Sequence, residues 1–377
     1  MTDVFDFADD LGPSKVIHVY EPSICLKAIL VVDNIAIGPS IGGLRMAPDV
    51  STLECFRLAR AMTLKNAAAG IRHGGGKSVV YGDPRMPKTE KERLVRALAS
   101  SLRNVHEYIF GPDMGTDEEC MAWVKDEIGR AVGLPREIGG IPLDEIGATG
   151  FGISHVVDVA LRYCGFPLEG ARVVIQGFGA VGSHAARFLT GSGAVLVGVS
   201  DSRGSMYNAR GLDVRDLSAL KKAGRSVTDY ADGLRQDREA VIDMECDIWI
   251  PAARPDVIHE DNVSRLRTKL VIEGANIPLT VAAEKYLHKK GILCVPDFIA
   301  NAGGVICAAM EYHGSTQAAA LETIGEKLRE NTELVLRDAE NRGILPREAA
   351  INVAVSRIKK AMEIRRWSLF SSAPGFC

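Results

Sequence analysis

The eight cysteines, at positions 25, 55, 120, 164, 246, 294, 307 and 377, include no Cys-x-x-Cys pair, and the eight histidines form no His-Glu-x-x-His or similar ligand pair. That lack of paired ligands argues against a zinc site or a disulfide framework, so no metal is expected and a reducing cytoplasm suits the chain. No run approaches the ~18 uninterrupted apolar residues that a membrane helix needs. The opening stretch MTDVFDFADDLGPSKV is acidic and has no basic segment leading into an apolar one, so it does not read as a secretory signal. An excess of one charge is also missing: 45 lysines and arginines stand against 48 aspartates and glutamates, a formal net charge of −3. So even a balance, with no long run of like charges, disfavours nucleic acid and anionic membrane as partners. Small molecules and further copies of the chain are the expected partners. No internal repeat or low-complexity segment is present.

What is there is a 377-residue globular composition, 46% hydrophobic and 25% charged, too long for one ordinary core. The first third mixes strand-like runs (KVIHVY, CLKAILVVD) with helical ones (TLECFRLARAMTLKN, KERLVRALASSLRNV), giving an α/β region. A stretch rich in glycine and proline, GLPREIGGIPLDEIGATG, then reads as a hinge. Beyond it, short apolar runs (ARVVIQ, AVLVGVSD, CDIWIPAA, LVIEGAN, ILCVPD) alternate with helices, the pattern of a parallel sheet covered on both faces. The expected architecture is a substrate-binding and oligomerisation domain over residues 1–138 and a doubly wound Rossmann-type domain over 139–330. Two C-terminal helices broken at GILP, over 331–377, would pack back on the first domain.

The segment KNAAAGIRHGGGKS (65–78) ends like a P-loop, but the motif's first glycine would fall on Ile71, and the preceding residues form a helical stripe rather than a strand. What remains is a pair of lysines, Lys65 near a helix end and Lys77 in a glycine-rich turn that runs into a strand SVVYGD. Further on, VVIQGFGAVGSHAARFL holds Gly177, Gly179 and Gly182 in G-x-G-x-x-G spacing between a strand and a helix. There the backbone around Phe178, Ala180 and Val181 would approach a pyrophosphate at the helix N-terminus. Asp201 follows 19 positions after Gly182, where it would accept hydrogen bonds from the adenosine ribose, which favours NAD. Two other readings stand beside that one: Asp201 as the cap of the turn with Ser202, and Arg203 as the partner of the 2′-phosphate of NADP.

MTLKNAAAGIRHGGGKSVV, GPDMGTDEE, GATGFG, VVIQGFGAVG, VSDSRG, EGANIPLT and NAGGV occur in the order found in the glutamate/leucine/phenylalanine/valine dehydrogenases, which the chain resembles from about residue 35 to 310. The resemblance implies reversible NAD(P)-dependent oxidative deamination of an L-amino acid to its 2-oxo acid and ammonium, in a homo-oligomer that is a hexamer or an octamer. It implies Lys65 at the substrate α-carboxylate, Lys77 as catalytic lysine, and Asp113 as the proton carrier at the substrate nitrogen. Thr149 would hold the nicotinamide carboxamide, Asn276 would lie near its ribose, and Asn301 would support the cleft wall.

Glutamate-specific members carry a lysine immediately before a Gly-Gly pair and a hydroxyl three residues after the valine of NAGGV. Here Ile41 precedes Gly42 and Gly43, and Ala308 follows Val305. An unpaired glutamate carboxylate beside Ile41 would be costly. An apolar pocket lined by Ile41, Val305 and Ala308, with Met62 and Gly111 near it, points to leucine, valine, isoleucine or phenylalanine. GPDMGT and VSDSRG are closer in style to the glutamate members, so glutamate is the alternative. A non-catalytic nucleotide-binding subunit is the alternative from another class.

Overall fold

The computed structural model describes residues 4–364. It divides into two compact units: one holds the chain up to Pro142, Val305–Ala320 and the chain from Ile351, and the other holds Leu143–Gly304 and Leu321–Ala350.

The first unit is built on strands β1 (Lys15–Glu21), β2 (Leu26–Asn34), β3 (Ser40–Ala47), β4 (Gly74–Tyr81) and β5 (Tyr108–Pro112). They lie in the order β1-β2-β4-β3-β5, antiparallel on the β1 and β2 side and parallel among β4, β3 and β5. Strand β2 is apolar on both faces because helices cover both. Helix α1 (Thr52–Ala69) packs on the face carrying Ile29, Val31 and Val79. Helices α2 (Lys88–Ser101) and α3 (Glu118–Ile128) close the other, over Leu30, Val32, Leu44, Met46, Val80, Tyr108 and Phe110. Helix α1 starts where the Ser51 side chain accepts the Glu54 N–H and ends at left-handed Gly70.

The expected turn at GGGK is not a turn. Gly74 to Lys77 form the first half of β4, paired between β2 and β3 with a bulge in β2 between Val32 and Asn34. A Cβ on Gly75 would lie 2.0 Å from the Thr63 backbone nitrogen, so glycine is there to let α1 lie against the strand. Three consecutive glycines look like a turn in sequence, and here they run through the centre of a sheet, with the middle one against the helix and its neighbours against the adjoining strands.

The second unit opens with α4 (Leu143–Ile146) and α5 (Ala148–Cys164) and continues through β6 (Arg172–Gln176), α6 (Ala180–Gly191) and β7 (Val195–Asp201). There follow β8 (Gly204–Tyr207), α7 (Val214–Lys222), β9 (Leu234–Gln236), β10 (Ile248–Pro251), β11 (Leu270–Ile272), α8 (Val281–Lys289), β12 (Leu293–Val295) and α9 (Asp297–Ala300). The strand order β12-β11-β10-β6-β7-β8-β9 places β6 between neighbours reached in opposite directions, which is a topological switch point at its carboxyl end. The strands from β12 to β7 are parallel, and β8 and β9 add an antiparallel edge that the sequence pattern does not announce.

Three helices follow: α10 (Gly303–Tyr312), α11 (Gln317–Arg342) and α12 (Pro346–Ile364), the last two broken at 343–345 as the GILP stretch suggests. Their allocation differs from the expected boundary at 330/331. Residues 321–350 stay with the second unit, where an added Cβ at Gly152 would meet Leu328 and Ile324, and Arg347 bonds Glu273, Glu284 and Asp297 at 2.7–2.9 Å. From Ile351 the chain belongs to the first unit, where Arg357 donates to the carbonyls of Ala67 and Ala68 and so caps the last turn of α1. Residues 365–377 of the expected C-terminal segment, Cys377 among them, lie outside the described residues. No helix among the described residues is long and apolar enough to cross a membrane.

One buried base is expected to make this fold sensitive to acid. His73 is 1% exposed, and its Nδ1 lies 3.0 Å from the Pro39 carbonyl, which can only accept. Nδ1 therefore carries the proton and Nε2 accepts from His313 at 3.1 Å. Burial, with His313 adding to it against the Pro39 bond, lowers the His73 pKa from 6.5 to about 4. Between those values the unfolded chain takes up a proton that the folded chain refuses, so stability falls as pH drops from 6.5 towards 4, by at most about 3 kcal/mol. His73→Asn keeps a donor for Pro39 and is expected to lose less of its urea midpoint than the parent between pH 7 and pH 4.5. An identical loss in both would remove His73 as the cause.

Candidate active site

Strand alternation decides what faces what in the first unit. Leu44 and Met46 of β3 point to the α2 and α3 side with Val80, Tyr108 and Phe110. Hence Ile41, Gly43 and Arg45 point to the α1 side, with Lys77 of β4 and with Ile109, Gly111 and Asp113 at the end of β5. Gly43 pairs with Gly111, and the floor they make has no side chain on it. Above this floor Lys77 Nζ lies 2.7 Å from Asp113 Oδ2. A Cβ on Gly43 would come within 2.7 Å of Asp113 Cβ, 2.9 Å of Lys77 Nζ and 3.0 Å of the Pro112 carbonyl. The lysine tip can move, but Asp113 Cβ and the carbonyl cannot. Gly43→Ala is therefore expected to push Lys77 and Asp113 apart and lower turnover at least ~10-fold, with thermal stability changed far less. Unchanged turnover would mean that the pair does not need this floor.

The electrostatics of the pair follow from its depth. Burial lowers the Lys77 pKa below its ordinary value, and the Asp113 carboxylate opposes that shift without cancelling it. Burial would raise Asp113, but Lys77 and then Arg45 outweigh it and hold the carboxyl below its usual value. The result is an ionised acceptor beside a lysine that parts with its proton more readily than a surface lysine does.

Arg45 was not among the residues picked out from the sequence. Its Nε lies 2.9 Å from Asp113 Oδ2 and its Nη1 2.6 Å from Glu54 of α1, so it anchors the carboxylate to the helix. The signal was available: an arginine two residues beyond Gly43 on a strand shares its face. Thr116 assists, its hydroxyl accepting the Asp113 N–H at 3.1 Å and donating to the Leu44 carbonyl at 2.7 Å.

Lys65 and Met62 lie one turn apart on α1, both partly exposed, and so share a helix face. Ile41 is 3% exposed and lies two residues, about 7 Å of strand, from Gly43. Gly42 turns to the opposite face, and its carbonyl accepts the Tyr108 hydroxyl at 2.9 Å. Val305 and Ala308 lie one turn apart on α10, both partly exposed.

In the second unit the glycine motif joins β6 to α6 at the switch point. Gly177 has φ +99°, and a Cβ on Gly182 would stand 1.9 Å from the Gly177 carbonyl. A Cβ on Gly179 would meet nothing within 4 Å, so the turn is open on the side where the amides of Ala180 and Val181 start the helix. Phe178 is turned into the core at 2% exposure. An open cradle lined by free helix N–H groups fits a dinucleotide pyrophosphate. Thr149 sits in the first turn of α5, and the Asn301 amide donates to Asn276 Oδ1 at 2.9 Å. Asp297 accepts the Ile277 N–H at 2.9 Å, holding that residue at φ 48° beside Asn276 while Arg347 grips the other carboxylate oxygen. Among the described residues no group of three or more histidines, cysteines, aspartates or glutamates is placed to hold a metal.

Comparison with known proteins agrees with this arrangement. Residues 139–366 match the model of the Glutamate/Leucine/Phenylalanine/Valine dehydrogenase family and residues 17–130 that of the Glu/Leu/Phe/Val dehydrogenase dimerisation domain. A glutamate dehydrogenase of Aeropyrum pernix is 37% identical over 358 residues, covering 89% of this chain and 85% of its own. An NADP(+)-dependent glutamate dehydrogenase of Pyrobaculum calidifontis is 36% identical, covering 89% and 86%, and an NAD-specific relative is found in Halobacterium salinarum. The hetero-hexameric glutamate dehydrogenase of Thermus thermophilus, in its Leu-bound form, superposes with a TM-score of 0.83 at 30% identity, covering 95% of this chain and 91% of that one. With both halves matched and the glycine motif at the switch point, the chain belongs to the Glu/Leu/Phe/Val dehydrogenases, amino acid dehydrogenases that act on a CH–NH2 group with NAD or NADP as acceptor.

Proposed function

We propose that the chain carries out the reversible oxidative deamination of a hydrophobic L-amino acid, leucine, valine, isoleucine or phenylalanine, to its 2-oxo acid and ammonium. The observation that carries the choice is Ile41, a buried hydrocarbon on the strand face of Lys77, two residues from the floor of the catalytic pair. Nothing at that position offers a counter-charge to a second carboxylate, and desolvating one unpaired costs several kcal/mol.

In this reading the Lys65 ammonium pairs with the substrate α-carboxylate. A dinucleotide held at the Gly177–Gly182 turn would supply the acceptor for the hydride of the α-carbon. Asp113, ionised and fixed by Arg45, takes a proton from the substrate nitrogen and returns it as ammonium leaves. Lys77, its proton loosened by burial, draws a proton from the water that attacks the imine carbon and stabilises the carbinolamine oxygen. Thr149 and Asn276 orient the nicotinamide end, Asn301 supports Asn276, and the protein works as a homo-oligomer in the cytoplasm.

A second reading, glutamate, has its own support: the relatives above are named glutamate dehydrogenases, and those names back glutamate better than they back an apolar substrate. NAD(P)H absorbance followed with leucine, valine, isoleucine, phenylalanine and glutamate separates the two. The apolar reading expects kcat/KM for the best apolar amino acid to exceed that for glutamate at least ~10-fold. A preference for glutamate overturns it, and silence with all five favours a non-catalytic subunit.

A further inference from the structure

The carboxylate that should read the adenosine ribose is already fully engaged. Asp201, at the end of β7, accepts the Arg203 N–H and the Ser226 hydroxyl on Oδ1, each at 2.9 Å. On Oδ2 it accepts Lys221 Nζ at 2.9 Å and the Val227 N–H at 3.0 Å. A carboxylate has about four acceptor positions, two on each oxygen, and here all are filled. Its side chain is 7% exposed. To bind the two ribose hydroxyls of NAD it would have to give up partners that join β7 to α7 and to the 226–229 turn.

Around this spent carboxylate the exposed groups are mostly donors and cations, with Asp229 the exposed acid beside them. Ser202 and Arg203 follow Asp201 on the surface, and the Arg203 guanidinium reaches the Gly224 carbonyl at 3.5 Å and acts through its charge on Asp229. Arg225 is exposed as well and stands 3.4 Å from Asp229. Lys221, its side chain 34% exposed, already lies over the carboxylate with one donor used and others to spare. These are groups that suit a phosphate dianion: a planar guanidinium able to bind it bidentately, an ammonium and a hydroxyl.

We propose that this chain selects NADP over NAD, with Arg203, Lys221 and Ser202 as the residues that meet the 2′-phosphate and Asp201 as a structural cap that positions Arg203 and Lys221. The inference rests on the dinucleotide site alone and is independent of which amino acid is the substrate.

The test needs no turnover. The full-length protein is titrated with NADPH and NADH by the fluorescence of the bound nicotinamide, and adenosine 2′,5′-bisphosphate is compared with adenosine 5′-monophosphate as competitor. NADPH and the bisphosphate are expected to bind at least ~10-fold more tightly than their counterparts. Arg203→Ala should remove most of that advantage while leaving NADH within about twofold of its starting affinity. Lys221→Met should weaken NADPH and, by freeing an acceptor on Asp201, tighten NADH. Equal or tighter binding of NADH by the unmodified protein overturns the proposal, and so does an Arg203→Ala variant that weakens both cofactors alike.

Discussion

Lys77→Ala is expected to lower turnover by about a thousandfold or more while NADPH and NADH bind as before. The variant removes the proposed proton carrier without leaving a stranded charge, because Asp113 keeps Arg45 at 2.9 Å. Folding should survive for the same reason, with a cavity at one buried site as the main cost. Two measurements decide the matter: kcat at saturating substrate, and cofactor affinity by fluorescence. A loss of turnover below ~10-fold would end the catalytic role of Lys77, and a parallel loss of cofactor affinity would assign the effect to folding.

Asp113→Asn completes this prediction through its pH dependence. The Asp113 charge and hydrogen bond both favour the protonated form of Lys77, so removing the charge lets burial lower the lysine further. Whatever deamination remains in Asp113→Asn should therefore rise at lower pH than in the parent. A limb that stays in place would show that Lys77 is not the group being titrated.

Ile41→Lys should move substrate preference by the next largest amount. The side chain of residue 41 lies on the α1 face of β3, about 7 Å of strand from Gly43. An ammonium there would pair with a side-chain carboxylate of a substrate held at Lys65, and it would leave a hydrocarbon side chain facing a desolvated charge. A charge-assisted hydrogen bond formed in one case and an unpaired charge buried in the other should each change kcat/KM ~10- to 100-fold, raising glutamate and lowering leucine. Ile41→Leu, which conserves volume, is the control and should change little. If Ile41→Lys leaves the ratio of glutamate to leucine unaltered, residue 41 does not touch the substrate side chain and the apolar reading loses its main support.

Much of this site was legible in the sequence. The glycine motif has its own local signature, whereas Lys65, Lys77 and Asp113 stand out through the order of motifs that resembles the family, and of these the structure holds Lys77 against Asp113. What was not legible were relations between distant segments. Gly75 looked like part of a turn because its reason for being glycine is Thr63 of a helix that precedes it. Arg45 went unnoticed because its partners are nine residues away at Glu54 and sixty-eight away at Asp113. The bonds of Asp201 to Ser226 and Lys221, which bear on the ribose reading, are not legible because neither residue is adjacent to it in sequence. The boundary at 330/331 failed to anticipate Arg347, whose three acidic partners come from three different segments.

Strand β3 also bears on how such an enzyme diverges. A Cβ on Gly42 would fall 1.8 Å from the Gly76 carbonyl and one on Gly43 would strike Asp113, so neither position tolerates a side chain. Their neighbour Ile41 already carries a side chain, buried on the same strand face as Lys77. The strand thus sets two positions closed to any side chain directly beside one that carries a buried hydrocarbon. Under the proposed function, a change of substrate made at residue 41 would leave the glycine floor and the Lys77–Asp113 pair in place, and a laboratory search at that position would need only nineteen substitutions.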